Sequence, residues 1–434
     1  MSTSVDAPGR AWPPDRRSRL DPAAASDSPY RKNVLLHLPD VKVRSWIVRR
    51  AYELPGGDAA ILVSAIESRH PEPFRAVDRD TLRREAARVD ALDSEARSVV
   101  AVELMRTIAL LGSRNGHTAI HPVGEHPIPL PAFPLWLYEF DDGVFVVDAE
   151  RCDVVGTELV AIDGTDVEEV LAAVTPLIAH DNESTIRARR PTFVVNASVL
   201  HGLGVVADPA RATFRLRARN GSLVDAALDA MAPRELLSRV AGNRTRERRG
   251  PAYLRRRDRH WAEVAAVGRA IHVGYTITLG DVTEFALEVE ALAGSSGVAV
   301  VVLDLRQNAG GDNRTYRPLL ESLQRLGSEK RLAVLTSRLT FSGAMQLIVE
   351  LERDTQAVFV GEPTGGSPNQ YGDATKVELP NSGLNAFVAT VAWKTAGEFD
   401  DRVTRTPDIP VRQNSTAFFA GNDPVLDAAV AALS

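Results

Sequence analysis

The chain has 434 residues, 44 % hydrophobic and 25 % charged, with a formal net charge of -6. This is the composition of a globular protein with room for two or three domains, and the negative balance disfavours nucleic acid as the main partner. The single cysteine, Cys152, excludes an intrachain disulfide, and no run of about 18 apolar residues marks a membrane span.

Residues 1–33 are rich in Pro, Ala, Ser, Asp and Arg and read as a disordered leader. No apolar stretch follows Arg16, Arg17 and Arg19, so no secretory signal is read and a cytoplasmic protein is expected. A helical region follows over 34–128. Its segments VKVRSWIVRRAYEL and SEARSVVAVELMRTIALLG space their apolar residues by three and four, with Asp80 and Asp93 as expected N-caps.

The texture changes near Gly116. FPLWLYEF and VFVVDA flank Asp141-Asp142-Gly143, a hairpin signal. GTELVAIDG reads as a further strand, VEEVLAAVTPLIA as a helix to about residue 179, and Asn220-Gly221 as the turn of a second hairpin. Residues 129–243 are therefore expected to form a small β-rich domain. A basic run, 244–260, reads as a solvated connector. From 261 to 434 strands and helices alternate, which implies a mostly parallel sheet with function at the strand C-termini.

Three segments end strands in this last domain. VVLDLRQNAGGDN runs into Gly310-Gly311, a loop whose N–H groups can hold an oxyanion or can simply make a tight turn. LTSRLTFSGAM places Ser342 between a strand and a helix, beside the small Gly343 and Ala344. Ser342 there is either a nucleophile at a positive helix end or an ordinary N-cap. VGEPTGGSPNQYGD is a long post-strand loop of the kind that carries function.

In this order and spacing, DLRQNAGGDN, TFSGAM and GEPTGG resemble the tail-specific, C-terminal-processing serine peptidase family, closest to its tricorn-core-like Ser-His branch. The resemblance covers about residues 270–410 well, and extends more loosely upstream through NGHT (115–118) and GTELVAIDG. It implies a crotonase-like α/β catalytic domain, preceded by the helical region and a PDZ-like β-rich domain. It also implies a nucleophile at Ser342 and oxyanion donors from Gly343 and from Gly310 or Gly311.

A serine hydroxyl needs a base within hydrogen-bond reach. One branch of the family carries a lysine in the loop after Gly-Glu, where this chain has Ser367. The nearest later lysines, of five in the chain, are Lys376 and Lys394. The tricorn-like branch uses a histidine, and NGHT supplies His117, with His121 as the fallback. Histidine suits the role because it titrates near neutrality. The resemblance puts the orienting acid shortly before Pro-Asp-Ile, at Asp401, next to Asp400.

The expectation is thus hydrolysis of a peptide or protein substrate, without a metal or other cofactor, nucleic acid or membrane, with a homo-oligomer left open. The alternatives are a binding protein of the same fold that has lost catalysis, an esterase or amidase using the same residues, and a scaffold that docks through the basic run.

Overall fold

The computed structural model describes residues 56–92, 96–236, 250–256, 258–265 and 269–433. The expected leader, the VKVRSWIVRRAYEL segment, the cap at Asp93 and residues 244–249 and 257 of the basic run lie outside the described residues.

The chain first forms helices α1 (Asp58–Arg69), α2 (Arg79–Asp90) and α3 (Arg97–Ala109). Asp90 at the end of α2 accepts the N–H groups of Ala59 and Ala60, both at 2.9 Å, and so satisfies the opening turn of α1. The cap of α2 is Asp78, which accepts from Thr81 N at 2.8 Å. The expected cap, Asp80, falls inside the first turn. There it still faces the positive helix end, but the extended backbone a cap needs occurs two residues earlier.

A six-stranded antiparallel sheet follows, β1 (Leu135–Phe140), β2 (Gly143–Ala149), β3 (Glu158–Ile162), β4 (Thr165–Asp166), β5 (Arg211–Arg217) and β6 (Leu223–Asp229). Its strand order is β1-β2-β3-β5-β6, with β4 paired to β3. Both expected hairpins form, with Gly143 at φ 134° and Gly221 at φ 85° in their turns. Helix α4 (Val167–Val174) stops sooner than expected, because Pro176 converts the chain to a 3-10 turn over Thr175–Leu177. This middle block also carries α5 (Glu183–Val194) and α6 (Ala197–Gly202), which the strand-like texture did not announce.

The second sheet has the order β16-β11-β10-β9-β8-β7. Its members are β7 (His260–Val264), β8 (Ala270–Tyr275), β9 (Val300–Asp304), β10 (Arg331–Thr336), β11 (Val358–Gly361) and β16 (Ile409–Pro410). All neighbours run parallel except β7 with β8. Alternate residues serve opposite faces, as the strand period of two requires. Val301, Leu303 and Val334 pack with α7 (Thr283–Ser295), α8 (Arg317–Glu329) and α9 (Gly343–Asp354). Val300, Val302, Ala333 and Leu335 pack with α11 (Pro424–Leu433), which follows the short α10 (Ser415–Ala420). Burial on both faces explains the continuous apolar runs of β8, β9 and β10.

Two small hairpin pairs complete the fold, β12 (Gln370–Gly372) with β15 (Val391–Trp393) and β13 (Thr375–Leu379) with β14 (Leu384–Val388). Val377, Leu379, Leu384, Ala386 and Val388 are buried in the same core as α1–α3 and the antiparallel sheet. The N-terminal and C-terminal parts of the chain are therefore joined by a shared hydrophobic core. No helix among the described residues is long and apolar enough to cross a membrane.

Candidate active site

The end of β10 and the start of α9 bring Ser342 to the C-terminal edge of the parallel sheet. Thr340 fixes the approach, since its hydroxyl donates to Leu305 O at 2.9 Å and its Oγ1 accepts from Ser337 N at 3.0 Å. Ser342 has φ 53° and ψ −125°, a costly conformation for a residue with a side chain. Its side chain makes no capping bond to α9. The hydroxyl instead lies 2.9 Å from Nε2 of His117, so the N-cap alternative does not describe this helix. At that distance the hydroxyl can donate to Nε2 when that nitrogen carries the lone pair.

His117 comes from the segment after α3 and is held along its length. Asn115 Nδ2 donates to Leu111 O at 2.8 Å, closing the turn. Thr118 Oγ1 accepts from Ala389 N at 3.1 Å. Ala119 exchanges both backbone hydrogen bonds with Phe387 of β14, at 3.0 and 2.9 Å. The Phe341 ring, next to Ser342, stacks on the imidazole with centroids 4.6 Å apart.

A buried carboxylate from the middle block secures this segment. Asp181 Oδ1 accepts from Gly116 N at 2.8 Å, and Oδ2 accepts from Ser367 N at 2.9 Å. Its carbonyl and that of His180 accept from Arg114 N and Asn115 N. Arg189 of α5 grips the other side of the peptide before His117, donating to Gly116 O at 2.8 Å and to Ala179 O at 2.6 Å. Its guanidinium also lies 5.5 Å from the Phe341 ring centroid. Burial pushes the Asp181 carboxyl up, against the pull of the Ser367 and Gly116 N–H groups and the Arg189 charge. Burial likewise pushes Arg189 down to about 10. The next residue, Asn182, caps α5 and donates to the carbonyls of Thr364, Gly365 and Val403. The middle block thus holds both the His117 segment and the loop after β11.

The Gly310-Gly311 turn lies against Ser342. Its backbone has φ 103° and 139°, a region glycine adopts without strain. A Cβ on Gly310 would collide with Ser342 Cβ and come 2.7 Å from Gly343 N. Thr278 pairs with the turn, donating to Gly310 O at 2.9 Å and accepting from Asp312 N at 2.7 Å. Gly310 N donates to Asn308 Oδ1 at 2.9 Å. Gln370 Nε2 donates to Ser342 O at 3.0 Å and fixes that residue's own peptide.

The other candidate residues have surroundings of their own. Ser367 is fully buried and structural, with its hydroxyl donating to Val403 O at 2.8 Å. Lys376 and Lys394 lie on the surface and pair with Glu378 at 2.9 Å and Glu398 at 2.5 Å. The His121 ring lies beside Phe387, 5.9 Å between centroids. Asp401 is exposed, and Asp400 is engaged by Arg402 at 2.7 Å. Their loop is tethered to the site through Asn369, which donates to Gly397 O at 2.7 Å and to Asp400 O at 3.0 Å. Asp181, Arg189 and Gln370 were not anticipated. Gln370 opens β12, inside the segment after β11 that its length already marked, whereas nothing local in the sequence marks the other two. Among the described residues no cluster of His, Cys, Asp and Glu is placed to hold a metal ion.

Behind the site, Arg306 fixes the end of β9. It donates to Asp304 at 2.6 Å and to Asp423 at 2.7 Å, and His272 Nε2 lies 3.0 Å from Asp304. The Arg306 carbonyl accepts from Ser337 Oγ at 2.6 Å, which couples the ends of β9 and β10.

No protein-family model matches the chain, and no curated protein matches it. Solved structures do. Mature CPAF complexed with lactacystin aligns at TM-score 0.60 and 14 % identity, covering 86 % of this chain and 96 % of that one. Mature CPAF aligns at TM-score 0.59 and 13 % identity, covering 86 % and 97 %. The photosystem II D1 C-terminal processing protease is a more distant match, at TM-score 0.40 and 15 % identity, covering 88 % and 98 %. At these identities the likeness to CPAF shows a shared fold over nearly the full length of both chains.

Proposed function

We propose that this chain is a serine-type peptidase of the tail-specific kind. The observation that carries the reading is the 2.9 Å contact between Ser342 Oγ and His117 Nε2 beside a glycine turn. In this mechanism Ser342 Oγ attacks the substrate carbonyl while His117 Nε2 takes its proton. The tetrahedral oxyanion is held by the N–H groups of Gly343 and Gly311, because that of Gly310 is engaged by Asn308. His117 then passes the proton to the leaving amine, and water hydrolyses the acyl-enzyme by the same steps in reverse order. Asp401 is assigned as the acid that orients His117. The tricorn-core-like branch, the crotonase-like and PDZ-like descriptions of the two sheet domains and a cytoplasmic setting belong to the same proposal.

The test is labelling by a serine-reactive fluorophosphonate with the modified residue located by peptide mapping. The peptidase reading requires label on Ser342, strongly reduced in His117→Ala. Absence of label would favour a non-catalytic binding protein of this fold. Profiling of peptide, ester and small amide substrates separates a peptidase from an esterase or amidase that uses the same residues.

A further inference from the structure

Arg114 stands three residues before His117 and has φ 67°, a left-handed conformation that a residue with a side chain adopts at a cost. Its backbone is pinned there by the bond from its N–H to Asp181 O at 3.1 Å. Its guanidinium Nε and Nη2 are buried and have no hydrogen-bond partner among the described residues. These two N–H groups form one edge of the guanidinium, the fork that takes the two oxygens of a carboxylate in parallel. A buried guanidinium fork without an acceptor is costly and calls for one.

The nearby carboxylates are engaged otherwise. Asp400 and the Tyr371 phenol lie close enough to feel the Arg114 charge. Asp400 is held by Arg402 through both its oxygens, and the Tyr371 hydroxyl donates to Glu72 at 2.7 Å. Beside Tyr371 in the same strand, Gln370 donates to the Ser342 carbonyl while its Oε1 is buried without a partner among the described residues. An unmade acceptor and an unmade carboxylate fork therefore stand on segments that border Ser342 and His117. In a chain of net charge -6, such a built positive group is a specific feature rather than part of a general basic field.

We propose that Arg114 binds a carboxylate of the substrate, close to the bond that is cut. This rests on the reading of Ser342 and His117 as a hydrolytic centre. The carboxylate belongs either to the substrate's chain terminus or to an Asp or Glu side chain.

The experiment uses the full chain carrying Ser342→Ala, so that binding is read without turnover. The Nε–H resonance of Arg114 is assigned by its loss in Arg114→Gln and titrated with N-acetyl-alanine, N-acetyl-alanine amide and N-acetyl-aspartate amide. A carboxylate probe should shift that resonance and bind at least about tenfold more tightly than the neutral amide. Preference for N-acetyl-alanine identifies a chain terminus, and preference for N-acetyl-aspartate amide identifies an acidic side chain. Arg114→Gln should abolish the preference, and Arg114→Lys, which keeps the charge but not the fork, should retain only part of it. Equal binding of acid and neutral probes, or a preference that survives Arg114→Gln, would overturn the proposal. Fluorophosphonate labelling of the wild-type chain, run in parallel, reports separately on the hydrolytic reading.

Discussion

Replacing Asp181 by Asn isolates the clamp on the His117 segment. The carboxylate accepts two backbone N–H groups, from Gly116 and Ser367, at 2.8 and 2.9 Å. An Asn amide of the same shape offers one carbonyl and one NH2 group, so one of the two buried donors must face another donor. Losing a hydrogen bond to a charged group costs about 1.5–3 kcal/mol, and the donor left unpaired adds to this. Arg189, already desolvated, also loses its counter-charge. The expected loss of stability is about 2–4 kcal/mol, read as a lower urea midpoint at unchanged slope. The catalytic cost is separate. The Gly116 peptide precedes the imidazole, and misplacing a reacting group by about 1 Å costs on the order of 10²-fold in rate. A fall of that size in kcat, with KM nearly constant, should appear well below the unfolding transition. A variant with a wild-type urea midpoint and a rate within about twofold of wild type would refute the argument that this carboxylate holds the His117 segment.

His117→Ala should lower kcat by about 10²–10⁴-fold and remove the limb of the pH–rate profile near neutrality that a histidine base gives. Asp401→Asn should cost on the order of 10²–10⁴-fold in kcat if Asp401 orients the imidazole during turnover, and a rate near wild type would pass that role to another group. Gly310→Ala puts a methyl group against Ser342 Cβ at a residue with φ 103°, and should abolish fluorophosphonate labelling even where circular dichroism shows a folded protein. Burial alone would push the Asp304 carboxyl up, but the Arg306 charge and the His272 contact hold it well below the usual carboxylate range. Its contribution to stability is therefore present above the unfolded value near 3.8 and lost as the pH falls through the folded one. Asp304→Asn should destabilise at pH 7 by about 1.5–3 kcal/mol, because buried Arg306 keeps Asp423 as its one carboxylate partner, and should flatten the loss of stability on acidification in urea midpoints measured from about pH 7 to pH 2.

Much of the two sheets is legible in the sequence because their physics is local. β8, β9 and β10 are buried on both faces, so they read as unbroken apolar runs, and the turns at Gly143 and Gly221 announce themselves through Asp-Gly and Asn-Gly. Ser342 is marked by its place between a strand and a helix, and its lack of a capping bond appears only in three dimensions. α5 and α6 are less legible. Pro191 sits inside α5, and the Asn182 cap owes its role as much to the distant Thr364, Gly365 and Val403 carbonyls as to its own helix. Asp181 and Arg189 act on backbone groups about 65 and 73 residues away in the chain, a relation that no spacing rule encodes. The Asp78-for-Asp80 correction has a simpler cause, since either acid satisfies the electrostatics and only the backbone angle chooses between them. Asp401 was reached through motif resemblance, which carries no information on burial, and it lies exposed.

The most direct test of the central claim is the second-order rate of fluorophosphonate labelling at Ser342, compared between the wild-type chain and His117→Ala at pH 7. The account predicts a single labelled residue, Ser342, and a rate at least about 10²-fold lower when the imidazole is removed. Labelling that ignores His117, or that falls on another residue, would contradict a Ser342–His117 nucleophile.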